Sequence, residues 1–335
     1  MIVSVIGAGS WGTALSMLLA GKGHHVRLWA REPEIVNSIQ KHKKNSVYLS
    51  DLTLPENITS SGELGEVIRG SGLVVFATPS HTIRSMAEKV RPLLEGNERI
   101  VSVAKGIEMD TFLTMSQVLT EVLDGVIEED HIGVLSGPSH AEEVSRGMPT
   151  TVVASSTSRN TAVFIQQTFM TPQFRVYINR DIVGVEVSGA VKNILAIAAG
   201  IADGADLGDN AKAALITRGL TEIRRLGITL GASQDTFSGL TGIGDLIVTC
   251  TSQHSRNRNV GYRIGKGEKL DDIITSMDMV AEGVKTTKSV YEWSRILNVT
   301  MPITEKVYQV LFEDVSPQDA VYELMTREPK EEVIF

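Results

Sequence analysis

The sequence contains very little cysteine: one residue, Cys250, in a chain of 335. A single cysteine cannot form an internal disulfide and cannot build a cysteine-rich metal cluster. The seven histidines are scattered without the spacing of metal ligands, so we expect no metal site. This composition fits a reducing compartment.

Long apolar runs are also missing. The stretch 193–202 is apolar but too short to span a bilayer, and Lys192 precedes it. The N-terminus lacks the basic region of a signal peptide. We therefore expect a cytoplasmic protein that has no membrane partner.

Positive charge is scarce as well, with 32 Lys and Arg against 40 Asp and Glu and a formal net charge of −8. Nucleic-acid-binding proteins usually carry a basic surface, so we expect no nucleic-acid partner. An anionic ligand would need a locally basic pocket. With 42% apolar and 21% charged residues the chain is an ordinary globular protein, and its length suggests two domains.

Short apolar runs alternate with helical patterns in the first half of the chain. This alternation predicts a mostly parallel α/β sheet with helices on both faces. The helical patterns include 13–20 and 83–94. The predicted strands are 2–6, 26–29, 72–77, 99–103, 132–135, 150–154 and 175–177.

The second half shows helical stripes instead. Ile216, Leu220 and Ile223, for example, recur at i, i+4 and i+7, and alternating strand patterns are scarce. We predict an all-α domain there. The predicted domains are 1–182 and 183–335.

A glycine-rich loop follows the first predicted strand. Gly7, Gly9 and Gly12 form G-x-G-x-x-G at the start of a helical pattern, which is the context of a dinucleotide-binding Rossmann domain. The glycines permit a tight turn, close approach of a pyrophosphate and close packing of helix on strand. A glycine-rich turn without a ligand is the alternative.

The end of the second predicted strand bears on the choice between NAD and NADP. A carboxylate there would bind the ribose 2′-hydroxyl, but Ala30 or Arg31 occupies that place and Glu32 follows. An arginine can receive a 2′-phosphate. We therefore expect a modest preference for NADPH, with NADH also accepted. The alternative is that Arg31 is a solvated surface charge.

Three residues at strand ends or in apolar surroundings are candidates for chemistry. Lys105 and Ser139 follow predicted strands at their carboxyl ends, where open α/β sheets bind ligands, although each could be a surface loop residue. Lys192 interrupts an apolar helix. Burial would lower its pKa toward neutrality and suit acid–base chemistry, whereas a snorkelling lysine is the alternative.

Two polar segments of the second half complete the candidate site. Asp245 ends a glycine-rich turn, where it could also simply cap a helix. Ser255, Arg256 and Asn257 begin a helical stretch. A helix N-terminus with a bidentate arginine suits a phosphate monoester, and a basic solvated helix start is the alternative.

These segments together resemble the bacterial NAD(P)-dependent glycerol-3-phosphate dehydrogenases. The matching pieces, in chain order, are GAGSWGTALS, SVAKGIE, LSGPSHAEEV, GAVKNILAIAAGIADG, TGIGDLIVTC, SRNRNVG and VAEGVKT. They extend from residue 1 past residue 285, and the last forty or so residues carry no useful motif.

The resemblance implies reversible hydride transfer from NAD(P)H to dihydroxyacetone phosphate, giving sn-glycerol 3-phosphate for phospholipid synthesis. It implies that Lys192 transfers the proton, and a homodimer is compatible with it. The implied substrate contacts are Lys105, Gly137, Ser139, Lys192, Asp245, Ser255, Arg256 and Asn257. With the glycine loop, the cofactor contacts are Gly7, Gly9, Ser10, Trp11, Gly12, Arg31, Lys105, Ala141, Arg256, Val280 and Glu282.

Two other functions fit parts of this pattern. A 3-hydroxy acid dehydrogenase would share the architecture and the central lysine, but its substrates carry carboxylates in place of phosphates. A non-enzymatic dinucleotide sensor would keep the glycine loop and would not need Lys105, Lys192 and the segment 255–259.

Overall fold

The computed structural model describes residues 1–277, 280–329 and 331–332. Within the predicted second domain, 183–335, residues 278–279, 330 and 333–335 lie outside the described residues. The predicted fold class, a mostly parallel sheet followed by helices, is confirmed. The prediction that the two domains divide after residue 182 stays a prediction.

One eight-stranded sheet forms the first part of the chain, in the order β3-β2-β1-β4-β5-β6-β7-β8. Neighbouring strands are parallel except β6 and β7, which run antiparallel. The strands are β1 Ile2–Ile6, β2 His25–Trp29, β3 Ile58–Ser61, β4 Leu73–Phe76, β5 Arg99–Ser102, β6 Ile132–Ser136, β7 Thr150–Ser155 and β8 Phe174–Asn179.

Helices cover both faces of this sheet and make up the second part of the chain. Those of the first part are α1 Ser10–Gly21, α2 Pro33–His42, α3 Leu64–Ile68, α4 Ile83–Val90, α5 Met115–Leu123, α6 Ala141–Ser145 and α7 Arg159–Phe169. Those of the second are α8 Ile182–Gly204, α9 Asp209–Thr229, α10 Asp245–Thr251, α11 Arg256–Gly265, α12 Leu270–Thr275, α13 Glu282–Ile296, α14 Pro302–Phe312 and α15 Pro317–Met325.

Two sequence-based expectations differ from the structure in detail. Strand β3 was not predicted, because Ile58–Ser61 is a polar edge strand that buries only alternate residues. The helical pattern 83–94 ends as α4 at Val90 and continues as a 3-10 turn, Arg91–Leu93. Pro92 explains the change, since proline cannot donate the backbone hydrogen bond that would continue an α-helix.

Helix α8 is the central element of the second part. It packs against α9, α10, α11, α13 and α14, and almost all of its residues are buried. The expectation that no apolar segment reaches spanning length does not hold by length and composition alone, because α8 has 23 residues and its most apolar 18-residue window has a mean hydropathy of 1.6. Its most apolar window is 89% buried inside the protein, which is typical of a core helix.

Candidate active site

The glycine loop has the backbone geometry that a dinucleotide requires. Gly7 has φ +117°, and a Cβ there would lie 2.8 Å from the carbonyl oxygen of Ala77. A Cβ on Gly12 would lie 1.9 Å from the carbonyl oxygen of Gly7, so helix α1 packs directly on the loop. Above Gly9 there is open space. The loop therefore leaves room for a pyrophosphate at the N-terminus of α1, where Ser10 and Trp11 begin the helix.

The end of β2 carries an ion pair that the sequence did not reveal. Arg31 is exposed, with 82% of its side chain accessible, and its Nε and Nη2 donate to Oε1 of Glu32 at 2.9 and 2.6 Å. The guanidinium lies at the predicted ribose position but shares it with a carboxylate. A 2′-phosphate would compete with Glu32 for Arg31.

Two lysines bind opposite oxygens of one buried carboxylate. Lys192 Nζ donates to Asp245 Oδ1 at 2.6 Å, and Lys105 Nζ donates to Asp245 Oδ2 at 2.7 Å. The side chains of Lys192 and Asp245 are 5% and 1% exposed. Lys192 Nζ also contacts Thr249 Oγ1 at 2.5 Å. Helix α8, helix α10 and the loop after β5 thus meet at one charged cluster.

Burial and the neighbouring charges together set the pKa values in this cluster. Desolvation lowers the pKa of Lys192 to about 8; repulsion from Lys105 adds to the effect and Asp245 opposes it. Burial alone would raise the pKa of Asp245, but the two ammonium groups hold it below its ordinary value. Asp245 is therefore a carboxylate at neutral pH, and Lys192 can both donate and accept a proton near pH 8.

The local fold brings Asp245 under Lys192. A π-helical turn, Leu240–Gly244, leads directly into α10. A Cβ on Gly242 would lie 1.9 Å from the carbonyl oxygen of Phe237, so this tight turn requires glycine. Asp245 is the first residue of α10, and Thr249 follows one helical turn later on the same face.

The loop between β6 and α6 forms the opposite wall. The Gly137 carbonyl accepts hydrogen bonds from Lys105 Nζ at 3.0 Å and from Ser139 Oγ at 2.9 Å. Gly137 has φ +141°, a conformation that favours glycine. Ala141 begins α6 and is buried. The loop therefore connects the lysine cluster to the coenzyme domain.

The N-terminus of α11 faces the same region. Ser255 Oγ caps the helix by accepting from the Arg258 backbone N–H at 3.2 Å. Asn257 Oδ1 accepts from the Gly283 N–H at 2.9 Å, and the exposed Arg256 donates from Nη1 to the Val280 carbonyl at 3.0 Å. Thus α11 is tied to the start of α13.

Arg258, two residues after Arg256, carries a further positive charge at this helix start, but it is paired. Its Nε donates to Asp203 Oδ2 at 2.9 Å, and Lys212 Nζ contacts Asp203 Oδ1 at 2.5 Å. Arg258 and Lys212 share this carboxylate, whereas Arg256 has no carboxylate partner within the part of the chain that the structure describes.

Comparison with known proteins settles the family. The N-terminal model of NAD-dependent glycerol-3-phosphate dehydrogenase matches residues 2–162, and the C-terminal one matches residues 181–322. The chain belongs to this family. The predicted family, the predicted activity of a glycerol-3-phosphate dehydrogenase and the predicted dependence on NAD or NADP are confirmed.

Its relatives match over nearly their whole length. Glycerol-3-phosphate dehydrogenase [NAD(P)+] of Chlorobium phaeobacteroides is 53% identical over 99% of both chains. A Salinibacter ruber enzyme of the same name is 52% identical over 98% of this chain and 96% of its own. The crystal structure of the Coxiella burnetii glycerol-3-phosphate dehydrogenase has a TM-score of 0.93 at 38% identity, covering 97% of this chain and 99% of that one.

Two residues that contact predicted site residues, Thr249 and Ser80, escaped the sequence analysis. Thr249 contacts Lys192 and lies one helical turn after Asp245. The i, i+4 spacing of Asp245 and Thr249 was the sequence signal that places both on one helix face. Glu282 was predicted to contact cofactor, but its carboxylate accepts from the Ser80 backbone N–H at 3.0 Å and from the Ser80 hydroxyl. Ser80 follows β4, so this contact joins the sheet to α13 across 202 positions and no local pattern announces it.

No group of three or more potential metal ligands occurs within residues 1–277, 280–329 and 331–332. Lys192, which is buried, and Lys105, which is half-buried, both face Asp245. Because burial lowers the pKa of Lys192 to about 8, this cluster can support acid–base chemistry.

Proposed function

We propose that this protein reduces dihydroxyacetone phosphate to sn-glycerol 3-phosphate with Lys192 as the proton donor. The observation that carries the proposal is the buried Lys192–Asp245–Lys105 cluster between the glycine-loop domain and the N-terminus of α11. The product would supply phospholipid synthesis. The relatives' names state the same activity.

The dinucleotide, when bound on the glycine loop, supplies the hydride that adds to the ketone carbon. The carbonyl π electrons move to oxygen, which takes a proton from the Lys192 ammonium. Lys192 is then neutral and regains its proton from solvent. In the oxidation direction neutral Lys192 removes the hydroxyl proton. A pKa near the working pH serves both directions.

Asp245 and Lys105 prepare Lys192 for this step. Asp245 fixes the Nζ position through a 2.6 Å hydrogen bond, and Thr249 holds it from a second side. Lys105 balances the negative charge of the Asp245 carboxylate through an ion pair. It also adds positive potential where negative charge develops on the ketone oxygen. The cluster thus stabilises the alkoxide-like transition state before the proton arrives.

The N-terminus of α11 would bind the substrate phosphate. The first backbone N–H groups of a helix attract anions, and Arg256 can add a bidentate contact. Ser255 and Asn257 shape this terminus through their own hydrogen bonds. Held there, the substrate's carbonyl would face Lys192, which favours reaction by proximity.

The remaining sequence-based expectations belong to this proposal. They are a modest preference for NADPH through Arg31, substrate contacts by Gly137 and Ser139, and cofactor contacts by Ala141, Val280 and Glu282. The cytoplasmic location, the homodimer and the absence of nucleic-acid and membrane partners stay predictions.

The direct test is oxidation of NADPH by the purified protein in the presence of dihydroxyacetone phosphate, followed by absorbance. We expect turnover with this substrate and little with 3-keto acids or with unphosphorylated dihydroxyacetone. Higher activity on keto acids would favour a 3-hydroxy acid dehydrogenase. Coenzyme binding without turnover on any of these would favour a dinucleotide sensor.

A further inference from the structure

Two histidine rings meet across the candidate active site. His140 lies in the loop between β6 and α6, directly after Ser139, and His254 lies directly before Ser255 at the start of α11. Their ring centroids are 5.7 Å apart, with the planes inclined by 54°. The pair therefore joins the two walls between which the proposed substrate would bind.

His140 has an unused polar atom at this position. Its Nε2 is buried and has no hydrogen-bond partner among the described residues. A buried donor or acceptor without a partner is costly, and such groups in native proteins commonly mark a place where a ligand or water binds. His254 is exposed, so it borders the entrance to the same space.

The charges around His140 are mixed, and they come from three parts of the fold. Lys192 on α8 and Lys105 after β5 repel a protonated imidazole, whereas Glu142 and Glu143 on α6 attract one. Burial first, and then Lys192, lower the pKa of His140 below its ordinary value. In the free protein its imidazole is therefore neutral at neutral pH.

A phosphate dianion at the N-terminus of α11 would reverse this balance. It would bring two negative charges to the space beside His254, and opposite charge favours the protonated form of an imidazole. A protonated Nε2 could then donate a charge-assisted hydrogen bond to a phosphate oxygen. The proton would come from solvent, so no other group need lose one.

We propose that His140 is a further ligand of the substrate phosphate and takes up a proton as the phosphate binds, with His254 as the outer wall of the same subsite. This inference rests on the proposed function. It adds a titrating ligand to the cations and helix N-terminus already described, and it gives substrate affinity a second pH dependence beside that of Lys192, whose positive charge opposes protonation of His140.

The first test compares KM values for dihydroxyacetone phosphate at saturating NADPH across pH 6 to 9. His140→Phe keeps an aromatic ring that cannot titrate. We expect it to raise KM by roughly tenfold at the acid end, the size of a charge-assisted hydrogen bond, and by much less at the alkaline end. His42→Gln, at an exposed position on α2, is the matched control and should leave KM unchanged.

A second variant separates loss of the proton from loss of packing. His140→Asn retains a hydrogen-bond donor but cannot be charged. It should raise KM less than His140→Phe does. In both variants KM should vary less with pH than it does in the wild type. A defect that is constant across pH in both variants would show a structural role and overturn the proposal.

The second test measures the proton directly by calorimetry. Sn-glycerol 3-phosphate is titrated into the enzyme–NADPH complex, in which hydride transfer cannot occur, in two buffers of different ionisation enthalpy at pH 7. The wild-type protein should take up a measurable fraction of a proton more than His140→Phe does. Equal uptake by both proteins would contradict the proposal.

The source of the phosphate is tested in a separate arm. NADPH titrated into the free enzyme should show no difference between wild type and His140→Phe. A difference confined to this arm would assign His140 to a coenzyme phosphate and overturn the substrate assignment. Wild-type turnover of dihydroxyacetone phosphate tests the proposed function itself, so the two failures are distinguishable.

Discussion

A Cβ atom on Gly200 would lie 2.0 Å from the carbonyl oxygen of Arg258, so helices α8 and α11 cross in direct backbone contact. Close approaches of this kind, with a Cβ 2.0 to 2.5 Å from a backbone oxygen of the other helix, also occur at Gly204 on α8 and at Gly261 and Gly265 on α11. Lys192 lies about two turns before Gly200 on α8, and the proposed phosphate site is the N-terminus of α11. The crossing therefore fixes the distance between the proton donor and the phosphate site.

Gly200→Ala tests this relationship. The added methyl group must push the two helices apart, and overpacking of this kind costs about 1–3 kcal/mol of unfolding free energy. We expect a lower melting temperature together with a raised KM for dihydroxyacetone phosphate. The matched control is Gly21→Ala at the end of α1, where a Cβ meets open space. An unchanged KM in folded Gly200→Ala would show that the crossing does not position the phosphate site.

Arg256 provides the second prediction. Because its guanidinium is exposed and bonded only to the Val280 carbonyl among the hydrogen bonds described, it is available for a phosphate. Arg256→Ala should lower kcat/KM by an amount that corresponds to roughly 2–4 kcal/mol of lost transition-state stabilisation, if the contact between Arg256 and the phosphate is desolvated. The defect should be much smaller with dihydroxyacetone, which has no phosphate. Equal defects on both substrates would assign Arg256 another role.

The Arg31–Glu32 ion pair leads to the third prediction. Arg31→Ala should weaken NADPH more than NADH, because only NADPH carries the 2′-phosphate. Glu32→Ala should favour NADPH binding over NADH binding, since it frees Arg31 and removes a negative charge that would repel the 2′-phosphate. Titrating both coenzymes against the wild type and each variant measures the four affinities. Equal losses for NADH and NADPH in Arg31→Ala would mean that Arg31 does not determine specificity.

The fourth prediction is the pH dependence of the two reaction directions. Reduction needs the protonated form of Lys192, whose pKa burial lowers to about 8. The kcat/KM for reduction should therefore fall as pH rises above about 8. Oxidation needs neutral Lys192, so its kcat/KM should fall as pH drops below the same value. Profiles of both directions that are flat between pH 7 and 9 would remove Lys192 as the titrating group.

The sequence predicted most of the elements that have a local signal. The G-x-G-x-x-G loop requires glycine for steric reasons, and Gly7 and Gly12 lie where those reasons apply. Lys192 stood out because a cation inside an apolar helix is unusual. Strand β3 was missed because pairing with β2, and not its own apolar content, makes it a strand.

What the sequence could not predict are contacts between distant segments. Lys192 and Asp245 are 53 positions apart, and Ser80 and Glu282 are 202 apart. Each residue is ordinary in its own segment, and its role depends on how helices cross. The glycines of α8 and α11 encode one such crossing, but their i, i+4 spacing does not reveal which helices meet.

The most direct measurement of the central claim is single-turnover reduction of dihydroxyacetone phosphate by Lys192→Met with prebound NADPH. We predict a rate lower by orders of magnitude, with the NADPH dissociation constant little changed, because Lys192 acts on the substrate oxygen and not on the coenzyme. Lys288→Met, an exposed lysine on α13, serves as the control and should react at the wild-type rate. A near-normal rate in Lys192→Met would contradict the assignment of Lys192 as the proton donor.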